Sequence, residues 1–118
     1  MVEVIKQLKV NDEVTYPLAY TLNVMQIIQE EYGTINKWGE LVEGKGKGKE
    51  SDIKALIFGI TEMINEGLDM EADKNGTEFK PITTKKVGRI LTEMGLDNAT
   101  AQMTEVVVES TKSDEKNA

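Results

Sequence analysis

Hydrophobic residues recur every three or four positions over most of the chain, which is the spacing of amphipathic helices. The clearest stretch is PLAYTLNVMQIIQEEYG, and it predicts one helix from Pro17 to Gly33. Proline is tolerated in a first helical turn, and glycine is preferred just after a last turn. The apolar positions that define the buried side of this helix are Leu18, Leu22, Met25, Ile28 and Tyr32.

Three further helices are predicted between pairs of capping residues. A hydroxyl side chain accepts a hydrogen bond from a free N–H at a helix start, and glycine adopts the left-handed conformation at a helix end. The pairs are Thr34 and Gly44, Ser51 and Gly67, and Thr83 and Gly95. A last helix is predicted over 98–108. Residues 110–118 are polar and charged, which predicts a disordered tail.

The first segment, residues 2–16, is predicted to be a β-hairpin. Val2 and Val4, then Leu8 and Val10, approximate the alternation of a strand, and Asn11-Asp12 is a plausible turn. A lone hairpin is marginal in water, so it must pack on helices or pair with another chain, which makes its open edges a candidate homo-oligomer contact. The predicted fold is mainly α, a single domain over 1–109 with four to five helices and an N-terminal hairpin.

Two connecting segments carry residues that suggest ligands without matching a ligand motif. The run GKGKGKE, 44–50, lacks the spacing of a phosphate-binding loop and is predicted to be a flexible linker. The acidic segment 69–81 resembles a calcium loop, but Ile82 occupies the place of the bidentate glutamate. Asn75-Gly76 is more simply a tight turn.

Composition excludes several classes of function. The 118 residues include no Cys and no His, which rules out disulfides, a cysteine nucleophile, a Ser-His-Asp triad and the usual zinc ligands. We therefore predict no catalytic, cofactor-binding or metal-binding residues. The net charge of −7 disfavours nucleic acid as a partner. There is no membrane-length apolar run and no secretion signal at the start, so a cytoplasmic protein is expected.

One segment departs from the overall acidity. Residues 80–92 carry four cations and no anion: Lys80, Lys85, Lys86 and Arg89. Residues 82–108 also follow the order helix, glycine turn, helix, so the alternative function is a small helix-turn-helix protein that binds DNA. The second of these helices, however, carries Glu105 and Glu109 and no cation, which is the wrong sign for phosphates. The patch Lys85, Lys86 and Arg89 is therefore also a candidate contact for an acidic partner.

Tryptophan and methionine supply the remaining candidate partner contacts. Trp38 is the only tryptophan, and tryptophan is enriched at interface hot spots, although its helical spacing with Leu41 and Val42 favours the core. Methionine is a flexible side chain suited to adaptable apolar grooves. The candidates among the methionines are Met70, Met94 and Met103, whereas Met25 and Met63 are expected in the core.

The order of these elements resembles the tail assembly chaperones of long, non-contractile-tailed phages and related prophages. In that family a short hairpin of the type V-N-x-x-V-x-Y leads into a helix with a Leu…Glu-x-x-Gly ending. The matching residues here are Val10-Asn11-Asp12-Glu13-Val14-Thr15-Tyr16, Leu18, Leu22 and Glu30-Glu31-Tyr32-Gly33. The resemblance covers roughly residues 8–108 in element order and apolar pattern, and it contains no invariant motif.

The resemblance implies a binding protein without catalysis. Such a chaperone keeps the long tape-measure protein soluble and recruits tail-tube subunits to it in the cytoplasm of the bacterial host. A tape-measure protein is a long amphipathic helix with exposed apolar stripes, so its binder needs an adaptable apolar groove. The implied partners are therefore the tape-measure protein and the tail-tube protein, with no cofactor.

Overall fold

The N-terminal hairpin is formed by β1 (Ile5–Lys9) and β2 (Thr15–Ala19). The computed structural model describes residues 5–44 and 52–117, with side chains described as far as Thr111, so Val2 and Val4 lie outside the described residues. The strands are antiparallel. The predicted turn is confirmed, and it is held by the Asn11 side chain, whose Oδ1 accepts hydrogen bonds from the N–H groups of Glu13 (2.8 Å) and Val14 (2.9 Å).

Strand β2 continues beyond Tyr16, so the prediction that Pro17 begins a helix is wrong. Pro17 lies in β2 opposite Gln7. The Lys9 N–H donates to Gln102 Oε1 at 2.8 Å, and the Lys9 carbonyl accepts from Gln102 Nε2 at 3.0 Å. Both backbone groups of Lys9 therefore face away from β2. Hydrogen-bonded and non-hydrogen-bonded pairs alternate along an antiparallel ladder, so Gln7 and Pro17 form a non-hydrogen-bonded pair. A residue without an N–H is tolerated there because no ladder bond is lost.

The first helix, α1, runs over Leu22–Tyr32, so it begins five residues after the predicted start at Pro17. Its N-cap is Thr21, whose hydroxyl accepts from the Val24 N–H, and it ends at Gly33 as predicted. Of the predicted buried side, Ile28 is fully buried, whereas Leu22 is 76% exposed. The buried side of the observed helix is formed by Val24 and Ile28 instead.

Helix α2 (Ile35–Glu43) confirms both of its predicted caps. The Thr34 hydroxyl accepts from the Lys37 N–H at 2.9 Å, and Gly44 is left-handed. Its buried side carries Trp38, whose indole N–H donates to the Ala55 carbonyl at 3.0 Å. The remainder of the predicted linker, residues 45–50, lies outside the described residues.

Helix α3 (Ile53–Asn75) is longer than predicted at its C-terminal end. Its N-cap is Asp52, and Ser51, the predicted cap, lies outside the described residues. The predicted stop at Gly67 is wrong, since the helix continues to Gly76, which is left-handed. Gly67 is instead a point of close approach, because a Cβ there would lie 2.9 Å from Pro17 Cβ and 3.1 Å from the Pro17 carbonyl carbon. Most of the predicted acidic loop 69–81 is therefore helical.

Helices α4 (Thr84–Met94) and α5 (Leu96–Asn117) are separated only by Gly95. The predicted N-cap of α4 is confirmed, since the Thr83 hydroxyl accepts from the Lys86 N–H at 3.1 Å. Helix α5 extends past the predicted end at residue 108. The disorder predicted for 110–118 stays a prediction, because side chains beyond Thr111 lie outside the described residues.

One apolar core joins the hairpin to all five described helices, which confirms the predicted fold class of a mainly helical protein with an N-terminal hairpin. Leu8 and Leu18 contribute from the hairpin, and α3 passes through the centre with Leu56, Ile60 and Ile64 fully buried. None of the described helices is long and apolar enough to cross a membrane.

Candidate functional site

A concave apolar surface lies between the N-terminal half of α3 and α4. Asn65 Oδ1 accepts from the Ile82 N–H at 2.7 Å, and Asn65 Nδ2 donates to the Ile82 carbonyl at 3.2 Å, whereas the earlier residue Ile57 faces the later residue Gly88. The two helices therefore run in opposite directions. A Cβ placed on Gly88 would have Ile57 Cδ1, at 3.8 Å, as its nearest neighbour. Because Gly88 has no side chain, the space above this contact stays open.

This groove consists of two adjoining cavities of about 560 and 550 Å³. They share Ile53, Ile57, Lys85 and Gly88. The remaining lining residues are Lys54, Phe58, Thr84, Arg89, Leu91, Thr92, Gly95 and Leu96. We refer to this surface as the α3/α4 groove.

The floor of the α3/α4 groove is apolar and accessible to water. Ile53 is 53% exposed and Leu96 is 41% exposed, and Ile57 and Phe58 are half-buried. The Phe58 ring is held by an edge-to-face contact with Tyr32, with ring centroids 5.5 Å apart. Apolar area left in water at one place favours burial against a partner, because each side chain that becomes buried contributes about 1.5–3 kcal/mol.

The rim of the groove is positively charged, although the protein carries −7. Its lining includes Lys54 from α3 and Lys85 and Arg89 from α4, and no carboxylate. None of these three cations forms an ion pair within the described ranges, where the ion pair found is Lys6 with Glu109 at 3.6 Å. The charges are therefore available to a partner.

Only part of the predicted partner-binding set lies at the groove. Lys85 and Arg89 line it, whereas Lys86 is exposed on the same helix outside the lining. Trp38 and Met103 are 3% and 2% exposed, so as folded they are core residues and do not present a contact surface. Met70 and Met94 are half-buried and do not line the groove, so their role in partner binding stays a prediction.

The floor residues were the part that sequence reasoning missed. Ile53 and Ile57 belong to the dense apolar stripe of α3, which by periodicity alone predicts core. The available signal was the width of that stripe, since one neighbouring helix does not cover so many apolar positions. Gly88, beside the cations of α4, was the second signal, because it removes the side chain that would have covered Ile57.

A second, smaller cleft lies between α1, α3 and the segment after α3. Its volume is about 280 Å³, and its lining includes Ile27, Phe79, Glu62, Glu66 and Asp69. Glu66 serves the fold, because it accepts hydrogen bonds from the Thr21 hydroxyl and from Asn23 Nδ2. Burial raises the pKa of the Glu62 carboxyl. No group of three or more side chains suited to metal binding comes together among the described residues.

The helix-turn-helix alternative gains no support from the arrangement of charge. The cations lie on α4, the first of the two helices, while Asp97, Glu105 and Glu109 are exposed on α5. The helix that would have to enter the major groove therefore presents carboxylates.

Comparisons with known proteins add no relative: no family model, no curated protein and no solved structure matches the chain. The resemblance to tail assembly chaperones therefore depends on the order of elements and on the apolar pattern of the chain itself.

Proposed function

We propose that this protein is a non-catalytic tail assembly chaperone of a phage or prophage, which holds an amphipathic helix of the tape-measure protein in the α3/α4 groove. The observation that carries the proposal is the exposed apolar floor of that groove, with Ile53 and Leu96 about half accessible to water. An amphipathic helix laid along such a groove inserts apolar side chains at three- and four-residue spacing.

The size of the groove suits weak and reversible binding. Two or three apolar side chains of a client helix would find space in cavities of about 560 and 550 Å³. Burial of two such anchors contributes about 3–6 kcal/mol before the costs of association are subtracted. Reversible binding is what an assembly factor requires, because it must release the client when the tail-tube subunits arrive.

The identity of the client comes from the resemblance, and the physical class of the client comes from the groove. A tape-measure protein is a long helix whose apolar stripe needs cover before assembly. The proposal therefore places the chaperone in the cytoplasm of the bacterial host, with the tape-measure protein and the tail-tube protein as partners. No step in this role requires a catalytic group or a cofactor.

If a long open reading frame for a helical protein lies immediately downstream of this gene, co-expression with its product tests the proposal. The wild-type chain should keep that protein soluble and purify with it. Gly88→Leu should abolish this effect, because a leucine at this position projects into the groove while its Cβ meets only Ile57, at 3.8 Å.

The matched control is Gly39→Leu on α2, where a Cβ meets nothing within 4 Å and the groove is untouched. Circular dichroism should show that both variants are folded. If Gly88→Leu retains the client as well as Gly39→Leu does, the groove is not the binding site. If the wild-type chain does not keep the long protein soluble, the chaperone function itself is wrong.

A further inference from the structure

We infer that the α3/α4 groove selects a client helix whose apolar stripe is flanked by carboxylates at three- or four-residue spacing. This inference rests on the proposed function and specifies the chemistry of its client. It follows from the contrast between an acidic protein and a groove whose described lining contains three cations and no anion.

The spacing of the cations defines the spacing of the complementary charges. Lys85 and Arg89 are four residues apart on α4, so they lie on the same side of the helix, about 6 Å apart along its axis. A client helix that lies along α4 meets this pair with two acidic residues three or four positions apart. Lys54, on the opposite wall, faces the other edge of the client.

The apolar floor distinguishes this client from other anions. A phosphate backbone could satisfy Lys85 and Arg89, but it would remove water from Ile53 and Leu96 without replacing it by apolar contacts. A helix with an apolar stripe and acidic flanks satisfies the floor and the rim together. Complementary rim charge mainly affects selectivity and association rate, so the expected effect is a preference among clients with the same apolar stripe.

Three synthetic helices of about 20 residues test the inference. All carry the same leucine stripe, flanked by glutamate, by glutamine or by lysine. Binding is measured by fluorescence anisotropy at about 20 mM and about 300 mM ionic strength. At low ionic strength the glutamate peptide should bind roughly tenfold more tightly than the glutamine peptide, and the lysine peptide most weakly. The preference should shrink at the higher ionic strength because exposed charges are screened.

Charge reversal at the rim supplies the matched comparison. Lys85→Glu with Arg89→Glu should reverse the order of the three peptides. Lys80→Glu with Lys86→Glu changes the net charge by the same amount at exposed positions outside the groove, and should preserve the order. All four side chains are exposed, so both double variants are expected to fold.

The outcomes separate failure of the inference from failure of the proposed function. Equal affinity for all three peptides overturns the inference and leaves the proposed function standing. Binding of none of them at either ionic strength removes the proposed function and the inference together. The inference is also wrong if both double variants change the preference equally. It is wrong if duplex DNA, added as a competitor, displaces the bound glutamate peptide more effectively than added glutamine peptide displaces it. It is wrong, finally, if the only effect of Lys85→Glu with Arg89→Glu is to dissociate an oligomer of the protein.

Discussion

The contact between Gly59 and Trp38 offers a sharp test of how this core is packed. Gly59 lies inside α3, beyond its first turn, where replacement of glycine by alanine ordinarily stabilises a helix by about 1 kcal/mol. A Cβ at position 59, however, would lie 2.3 Å from Trp38 Cζ2 and 3.0 Å from Trp38 Cε2. Carbon atoms in contact prefer about 3.5–4.0 Å, so the indole must retreat by about 1.2 Å to regain an ordinary contact.

The indole cannot retreat freely. Trp38 is 3% exposed, and its N–H donates to the Ala55 carbonyl at 3.0 Å. Overpacking of a core costs about 1–3 kcal/mol, and a buried hydrogen bond left unmade costs about 1–3 kcal/mol. After the gain in helix propensity is subtracted, Gly59→Ala should lower the free energy of unfolding by about 1–5 kcal/mol.

Urea denaturation followed by far-UV circular dichroism measures this change. Gly39→Ala is the control, because it makes the same substitution in a helix where a Cβ meets nothing within 4 Å, and it should raise stability by up to about 1 kcal/mol. In a Trp38→Phe background, Gly59→Ala should cost at least about 1 kcal/mol less, since the smaller ring removes part of the clash. Equal stability of Gly59→Ala and Gly39→Ala would show that the Trp38 ring is not fixed against Gly59.

Two further predictions concern polar groups on α3. Thr61 is buried, and its hydroxyl has no hydrogen-bond partner among the described residues, so Thr61→Val should raise the free energy of unfolding by about 1 kcal/mol in the same urea assay. Thr92→Val, which removes an exposed hydroxyl that donates to the Gly88 carbonyl at 2.9 Å, should give no gain, and equal effects would contradict this account. Burial raises the pKa of Glu62 above its ordinary value of 4.5, so the folded state binds this proton more tightly than the unfolded state does. The resulting stability is present below about pH 4.5 and is lost as the pH rises through the raised pKa, so Glu62→Gln should stabilise the protein at pH 7 and have little effect near pH 4. Glu78→Gln, at an exposed position, controls for the change in net charge, and a gain from Glu62→Gln that does not vary with pH would contradict the prediction.

Local sequence determined both ends of α2 and α4 and the C-terminal end of α1. The hydroxyls of Thr34 and Thr83 and the positive φ angles of Gly33 and Gly95 act within one turn of their own helix, so their roles follow from neighbouring residues alone. The same is true of the Asn11 turn. The mainly helical class and the hairpin were predictable for this reason, and so was the basic face of α4, because charge is read directly from the sequence.

Contacts between distant segments decided the rest. Pro17 and Gly67 have the local character of a helix start and a helix stop, yet they lie together because β2 crosses α3 where a missing side chain admits the proline ring. The α3/α4 groove likewise depends on Gly88 lying over Ile57, a juxtaposition that periodicity does not contain. A sequence pattern specifies which side chains are apolar, whereas only the packing of distant elements determines which of them are buried within the chain. Ile53, Ile57 and Leu96 share the apolar character of the core residues, yet the tertiary structure leaves them partly or largely exposed to water.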